Sequence, residues 1–314
     1  MTFDAAGNVL LTDAFNHRVR VVAARSCRCY GQAMAAGYIY SIAGNGRAGY
    51  SGDDGPAARA GIGTPTAIVV DHHGNVVFAE LDIPKYGTTV HRRIRVIAAR
   101  TGSFYGLHMT AGHIYTIRKV WAFGLAVDAA GNIIASGVER SRLGSRNGNS
   151  GYYTTDQVVV LPARRGRFYG LAMVPGRAYP IAGRTWFQLV GSNRVPASPD
   201  GGRALATVIQ PDGVAVDRAG NVLIADHTHP TGIPGRGPSY NGQRVRVVAV
   251  RSGTFYGVAM TAGHIYTIAG YGLTSVGDGG PPLQAMFANP TGIAVAPSGA
   301  ILILDLSRIR LIYR

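Results

Sequence analysis

The stretch FYGVAMTAGHIYTIAG at residues 255–270 decides the fold, because three other segments of the chain read almost the same way. Its counterparts are CYGQAMAAGYIYSIAG at 29–44, FYGLHMTAGHIYTIRK at 104–119 and FYGLAMVPGRAYPIAG at 168–183. Recurrence of this kind is the sequence signature of a repeat architecture. In each copy a glycine turn is followed by β-branched and aromatic residues, which predicts a hairpin leading into a strand.

Two further segments recur ahead of each copy. The nearer one is RVRVVAAR at 18–25, RIRVIAAR at 93–100, QVVVLPAR at 157–164 and RVRVVAVR at 244–251. The farther one is DAAGNVLLTD at 4–13, DHHGNVVFAE at 71–80, DAAGNIIASG at 128–137 and DRAGNVLIAD at 217–226. A fifth copy, IAVAPSGAILILD at 293–305 with RIRLIYR at 308–314, has no fourth segment. Each repeat therefore predicts four short antiparallel strands, which we call a, b, c and d, joined by tight turns.

Four-stranded antiparallel repeats without an intervening helical period predict an all-β fold, a β-propeller. We expect one propeller domain over residues 1–314, with five blades at about 1–44, 64–119, 122–183, 211–270 and 290–314. The last blade is incomplete because its strand d is not evident, which leaves an edge through which the chain could self-associate. A six-bladed propeller is the alternative, and it requires irregular strands within 137–156 or 184–210.

The repeats resemble NHL-repeat propellers of the bacterial type. The resemblance is carried by Asp4, the Gly7–Asn8 turn, Asp13 and the run Asn16–Val19, and by the GDDGPA and GDGGPP linkers at 52–57 and 277–282. It implies a propeller with a face that binds protein, RNA or small molecules, and it does not imply one activity. Related propellers include lyases and lactonases that hold a divalent cation, and members are often exported.

Composition limits the function classes. Apolar residues make up 46% of the chain and charged residues 15%, as in a packed globular protein. The net charge is +15, carried almost wholly by arginine, so nucleic acid and acidic glycans are candidate partners. There is no apolar run of about 18 residues, so we expect no membrane span. The opening MTFDAAGN predicts a strand and a turn rather than a signal peptide, which leaves the compartment open.

Comparison between the copies assigns a structural role to several acids. The residue that closes strand b is acidic in four copies, and strand c opens with arginine in the same four. The third copy has Gly137 and Gln157 instead. Acid and arginine are thus present together and absent together, which predicts an ion pair within each blade. The predicted pairs are Asp13 with Arg18, Glu80 with Arg93, Asp226 with Arg244, and Asp305 with Arg308.

Other polar residues also have structural interpretations. Asp4, Asp71, Asp128 and Asp217 precede the Gly-Asn turns, where a carboxylate can accept turn N–H groups. Asp53, Asp54 and Asp278 of the glycine-rich linkers could bind Ca²⁺ or cap turns. Cys27 and Cys29 are one residue apart without further metal ligands beside them, so we expect free or surface thiols.

The connections between strands b and c vary most in length, and they emerge on one face of a propeller. They are long in the second, third and fourth copies, which favours a binding surface on that face. Aromatic and basic residues in these loops and in the neighbouring linker suit stacking and contacts with anions. The candidate ligand-binding residues are Tyr86, His91, Arg140, Arg142, Tyr152, Tyr153, Trp186, His227, His229 and Tyr240.

Three functions remain open. The first is a non-enzymatic binding or scaffold propeller whose b–c face takes a protein, peptide, glycan or other ligand. The second is a metal-assisted lyase or lactonase-like enzyme, with Ca²⁺ or Zn²⁺ held by His227, His229, Asp82 and Glu139, because His-Thr-His places two imidazoles on one side of an extended segment. The third is RNA binding through the arginines. The residues themselves identify no catalytic group and no evident cofactor.

Overall fold

A computed structural model describes all residues except 83–90, 121, 147–148, 190–198, 228–242, 271–276 and 314. At 138–143, 145–146, 149, 151–153 and 188–189 it describes the backbone alone. The protein is almost entirely β-structure in a five-bladed β-propeller arrangement, which confirms the predicted fold class. Three 3-10 helices, Ala57–Arg59, Ala204–Ala206 and Pro282–Gln284, are the helical elements of the described residues, and none has the length or apolar character of a transmembrane span.

The chain divides into two compact units. One comprises residues 1–133, 161–166 and 173–177, and the other comprises 134–160, 167–172 and 178–314. A single domain over 1–314 therefore stays a prediction.

The first unit contains two complete sheets. Strands a to d of the first sheet are Thr2–Phe3, Val9–Asp13, Arg18–Val22 and Ile39–Ala43. Those of the second sheet are Thr64–Val70, Val76–Asp82, His91–Ile97 and His113–Arg118, and Gly55–Pro56 of the preceding linker pairs with strand d. Valine, isoleucine and leucine of these strands form a shared core around Leu10, Val21 and Phe78, all fully buried.

The second unit contains most of the third sheet and all of the fourth and fifth. Strand a of the third sheet, Gly124–Val127, belongs to the first unit; strands b, c and d are Ile133–Arg146, Asn149–Leu161 and Tyr179–Ala182. The fourth sheet has Pro211–Val216, Val222–Asp226, Arg244–Val248 and Ile265–Ala269. The fifth has three strands among the described residues, Pro290–Val295, Ile301–Asp305 and Arg308–Ile312. The core of the fourth and fifth sheets includes Leu223, Val247 and Ile303.

The residues that could have formed a sixth blade enlarge the third sheet instead. Strand b extends to Arg146 and strand c begins at Asn149, and the two strands pair; Thr185–Leu189 pairs with strand c along Gly151–Thr155. This fifth strand is held by a backbone ladder and by a 2.7 Å hydrogen bond between the hydroxyls of Thr155 and Thr185. The predicted third b–c loop is therefore ordered β-structure over most of its length.

The turns at the a–b and c–d ends follow from local chemistry. Asp4, Asp71, Asp128 and Asp217 each accept N–H groups of their own Gly-Asn turns, as predicted. The c–d connections form four small hairpins: Cys27–Cys29 with Gln32–Met34, Gly102–Phe104 with Leu107–Met109, Gly166–Phe168 with Leu171–Met173, and Gly253–Phe255 with Val258–Met260. Their Tyr-Gly turns have positive φ at both residues, as the twist of a two-residue hairpin requires.

These turns also bond to one another within each sheet. The hydroxyls of Tyr30, Tyr105 and Tyr256 donate to the turn aspartates Asp4, Asp71 and Asp217 at 2.8 Å. The first c–d hairpin differs from the expectation of free or surface thiols, because Cys27 and Cys29 form a disulfide. Both side chains point to the same side of the strand, which places their sulfur atoms together.

Candidate functional site

The acids at the end of strand b face the opening arginines of strand c in register, but the ion pairs differ from those predicted. Asp13 is opposite Arg18 and Asp305 is opposite Arg308. Asp13 nevertheless pairs with Arg20 at 2.7 Å, and Asp305 has Arg310 at 3.7 Å. Alternate residues of a strand share a face, so the third residue of strand c reaches the same acid as the first. The predicted partners Arg18 and Arg308 are thus corrected to Arg20 and Arg310.

In the second and fourth sheets the acid has both arginines beside it. Glu80 has Arg93 at 3.9 Å and Arg95 at 3.7 Å, with all three side chains almost fully buried. Asp226 likewise has Arg244 at 3.8 Å and Arg246 at 3.5 Å. The acids also accept backbone N–H groups at the start of strand a, from Gly63 to Glu80 and from Gln210 to Asp226. These carboxylates therefore hold strands a, b and c of a sheet together.

In the second, fourth and fifth sheets, an aspartate from the linker before the sheet joins the ion pair between strands b and c. Asp53 contacts Arg95 at 2.8 Å, Asp200 contacts Arg246 at 3.1 Å, and Asp278 contacts Arg310 at 2.7 Å. This role was not predicted from the sequence, from which Asp53 and Asp278 were expected to cap turns or bind Ca²⁺ and no role was expected for Asp200. The sequence does indicate a shared role for these aspartates, because an aspartate recurs beside glycine in 52–55, 199–202 and 277–280.

The third sheet has Gly137 and Gln157 at these positions, so its described residues form no such ion pair between strands b and c, and its buried acid, Asp156, has other surroundings. Asp156, one residue before strand-c position Gln157, is 1% exposed and accepts the indole N–H of Trp186 at 3.3 Å on Oδ2. Its Oδ1 has no hydrogen-bond partner among the described residues. The pKa of Asp156 is raised to about 6, chiefly by burial; the indole hydrogen bond lowers the pKa and the nearby charge of Asp226 raises it. Trp186, predicted to contact a ligand, is 3% exposed and covers this acid.

His227 is the predicted site residue with the best-defined surroundings. Its Nδ1 lies 3.2 Å from Asp212 Oδ2, and its Nε2 hydrogen-bonds to Asn289 Oδ1. The hydrogen bond to Asp212 raises the pKa of His227, burial opposes that, and Asn289 reinforces it. Because one oxygen acceptor faces each ring nitrogen, the protonated imidazolium form can donate a hydrogen bond to both Asp212 and Asn289. Asp212 stands where the second and fifth sheets have Thr66 and Thr291, a difference that comparison of the copies could have revealed.

The remaining candidates are distributed as follows. His91 opens strand c of the second sheet, opposite Asp82, and is exposed. Arg140 and Arg142 lie in strand b of the third sheet, and Tyr152 and Tyr153 lie in its strand c beside Gln188 and Phe187. Tyr86, His229 and Tyr240 fall outside the described residues.

The four predicted metal ligands do not form a described site. Asp82 has Arg93 at 3.8 Å, and His227 bonds to protein on both nitrogens. Glu139 lies in strand b of the third sheet, and His229 is outside the described residues. Over the part of the chain that the structure describes, no group of three His, Cys, Asp or Glu residues has the placement to hold a metal ion.

Comparison with known proteins finds similarity at the level of structure. No family model and no curated protein matches the chain. A gluconolactonase from Xanthomonas campestris aligns with 96% of this chain and 80% of its own, at 12% identity and a TM-score of 0.40. The PQQ domain of a pyranose dehydrogenase from Coprinopsis cinerea aligns with 98% and 90%, at 11% identity and a TM-score of 0.36.

A protein of unknown function from Bacteroides thetaiotaomicron aligns with 97% of this chain, at 16% identity and a TM-score of 0.37, and this chain spans 66% of that protein. The activity and cofactor in the names of these proteins are theirs. The NHL repeat stays a prediction for this chain.

Proposed function

We propose that the protein is a non-enzymatic binding propeller whose main binding element is the enlarged third sheet. The observation that carries the proposal is the extension of strands Ile133–Arg146 and Asn149–Leu161, with Thr185–Leu189 added beside them. No other described sheet has strands b and c of this length. Ordering so many extra residues opposes folding through conformational entropy, so an extension that is kept as paired strands favours a functional role.

The residue types of this extension favour an acidic ligand. Strand b contributes Arg140 and Arg142, and strand c contributes Tyr152 and Tyr153. Arginine pairs with carboxylate and sulfate groups, and tyrosine stacks on the faces of sugars and bases. The net charge of +15 attracts anions from a distance. In the second and fourth sheets the acids of strand b form ion pairs with arginines, so their negative charges do not oppose the binding of an acidic ligand. We favour an acidic glycan as the ligand class.

Titration of a fluorescent sulfated hexasaccharide tests the proposal. The double variant Arg140→Ala/Arg142→Ala should bind about tenfold more weakly, equivalent to about 1.4 kcal/mol. The control Arg25→Ala/Arg28→Ala removes the same charge at the c–d end of the first sheet and should change affinity less than about threefold. Binding that is absent, or equally weakened by both double variants, contradicts the proposal. Tight binding of a single-stranded RNA probe instead, lost in the first variant, would assign the face to RNA.

A second candidate is a lactonase-like enzyme, and the observation that favours it is the Asp212–His227 pair at 3.2 Å. A carboxylate that orients an imidazole is the usual arrangement of a general base. To act as a base, His227 must first break the hydrogen bond between its Nε2 and Asn289, because Nε2 is the nitrogen that would accept the proton. Hydrolysis of a sugar lactone with added Ca²⁺ or Zn²⁺ tests this. If His227 is the base, His227→Gln lowers kcat by about 100-fold or more while Asn289→Ala does not. No turnover by the unaltered protein dismisses the enzyme.

A further inference from the structure

The disulfide between Cys27 and Cys29 closes a short loop within the first c–d hairpin. The two Cα atoms are 5.5 Å apart, and one residue, Arg28, separates the cysteines along the strand. The backbone ladder, from Cys27 with Met34 to Cys29 with Gln32, already pairs this strand with its neighbour. A cross-link that closes so short a loop removes less entropy from the unfolded chain than one that joins distant segments. The disulfide therefore connects no elements that the ladder does not already connect.

The other c–d hairpins form without cysteine. They have glycine and phenylalanine at the matching positions, in GSF at 102–104, GRF at 166–168 and GTF at 253–255. The second and fourth hairpins keep the same ladder of three residue pairs. In these two hairpins the phenylalanine ring covers the glycine, since a Cβ added at Gly102 or Gly253 would lie 3.2 or 3.3 Å from the ring. A hairpin of this design therefore does not require a disulfide in order to form.

The disulfide is accessible and has basic neighbours. Cys27 and Cys29 pack against the core of the first unit but remain partly exposed. Arg28 between them and Arg25 ahead of them are both exposed. The carboxylate of Asp4, in the a–b turn of the same sheet, accepts hydrogen bonds from that turn and from a tyrosine of the hairpin. Positive charge stabilises the thiolate anions that form on reduction, and thiolate is the reactive form of cysteine.

We propose that Cys27–Cys29 is a redox-active disulfide that oxidises a dithiol, a molecule that carries two neighbouring thiols. A substrate thiolate attacks one of the two sulfur atoms, the Cys27–Cys29 bond breaks, and a mixed disulfide forms. The second substrate thiolate attacks the substrate sulfur of that mixed disulfide and expels the remaining cysteine thiolate. Two electrons and two protons pass to Cys27 and Cys29, which become thiols, and the substrate becomes a disulfide.

The hairpin favours a dithiol over a monothiol as the substrate. Both cysteine side chains lie on one side of the strand, and the ladder keeps them there after reduction. When a monothiol attacks, the freed cysteine thiolate is held beside the mixed disulfide and attacks it in turn, so the original disulfide forms again. A dithiol competes with this return step, because its second thiol is equally close. The reaction does not depend on the ligand-binding extension of the third sheet.

The test mixes the full-length protein, without dioxygen, with an excess of a peptide that contains two cysteines. The protein should convert about one equivalent of peptide to the peptide disulfide, and Cys27 and Cys29 should become available to alkylation, both measured by mass spectrometry. Glutathione at the same thiol concentration should reduce the disulfide about tenfold less. Dithiothreitol in a third sample shows the source of the dithiol, since reaction with dithiothreitol but not with the peptide would assign the substrate to small dithiols.

The matched control is Cys27→Gly/Cys29→Phe, which gives the first hairpin the Gly-Arg-Phe sequence of 166–168. It should leave the peptide reduced, and it should unfold at the same urea concentration as the unaltered protein. The unaltered protein should also unfold at one urea concentration in its oxidised and reduced forms. The single variant Cys29→Ser retains Cys27 and should accumulate a mixed disulfide with the oxidised peptide, because no second thiol of the protein releases it.

Three results overturn the proposal. A disulfide that stays intact in the folded protein with excess peptide and with dithiothreitol is not open to a dithiol. Unfolding of the reduced protein at a clearly lower urea concentration makes the disulfide a structural cross-link. Equal reduction by glutathione removes the preference for a dithiol. Since each of these results is obtained with the unaltered protein, none depends on how well a variant folds.

Discussion

Asp156 occupies a position where an ionised carboxylate is poorly compensated. It is 1% exposed, and no lysine or arginine among the described residues forms an ion pair with it. The indole N–H of Trp186 is its one described hydrogen-bond donor. Burial therefore raises the pKa to about 6, from 3.8. An acid whose pKa is raised on folding contributes most at low pH, and that contribution is lost as pH rises from about 4 to about 6.

Replacement of this acid should stabilise the protein at neutral pH. Asp156→Asn keeps an acceptor for Trp186 and removes the charge, so we expect the free energy of unfolding to rise by about 2 kcal/mol at pH 8. The gain should shrink as pH falls from 6 towards 4. Urea denaturation at pH 4.5 and 8 measures both values. A variant that is less stable than the unaltered protein at pH 8 would show that the ionised carboxylate is favourable there.

The stabilising contribution of His227 is also lost as pH rises, but in a higher pH window and through the loss of a positive charge rather than the gain of a negative one. Its pKa is raised by Asp212, so its stabilising contribution is complete below the ordinary histidine value near 6.5 and is lost as pH rises through the folded value. Loss of the charge weakens hydrogen bonds to Asp212 and Asn289, worth about 1–2 kcal/mol together.

The decline in stability above pH 6.5 should therefore be smaller in His227→Gln than in the unaltered protein. Thermal unfolding between pH 6 and 9 measures the slope, and an NMR titration of the His227 ring gives the pKa directly. An unchanged slope in the variant would show that His227 does not contribute to the pH dependence of the protein's stability.

At the scale of elements, the buried arginine of strand c joins a sheet to the linker before it. Arg95 is fully buried between Glu80 and Asp53. Arg20, its counterpart in the first sheet, is 28% exposed, and Asp13 is its one ion-pair partner among the described residues. Removing one partner of a buried ion pair leaves an uncompensated charge, whereas loss of an exposed pair has little effect.

We expect Arg95→Met to lower the free energy of unfolding by about 3–5 kcal/mol and the control Arg20→Met by about 1 kcal/mol or less. Urea denaturation at pH 7.5 compares the two variants. Repeating it with added salt should weaken the partly exposed pair of Arg20 and Asp13 more than the buried pairs of Arg95. Equal losses in both variants would contradict the structural role assigned to the linker aspartate.

The elements also show what the sequence predicts well. Repeated strands and turns are local, so their positions follow from Gly-Asn and Tyr-Gly turns and from alternation. The acid of strand b and the arginine of strand c are adjacent in register, so their co-occurrence in the sequence predicts an ion pair between them. The co-occurrence does not show whether Arg18 or Arg20 is the partner, because both side chains lie on one face of strand c. The pairing of Thr185–Leu189 with strand c and the burial of Trp186 are non-local, and only the folded chain reveals them.

For the whole molecule, the enlarged third sheet differs most from the repeated design, with Arg140, Arg142, Tyr152 and Tyr153 in its strands. In the second and fourth sheets the buried acids of strand b have arginine partners within the sheet. The proposed ligand-binding extension therefore lies where the repeat departs from its own pattern.

Hydrogen–deuterium exchange of the full-length protein, with and without the sulfated hexasaccharide, locates the binding surface on the chain. We expect protection on binding within 133–161 and 185–189, while the c–d hairpins at 102–109 and 253–260 exchange as before. Protection of those hairpins instead, with none in the third sheet, would contradict it.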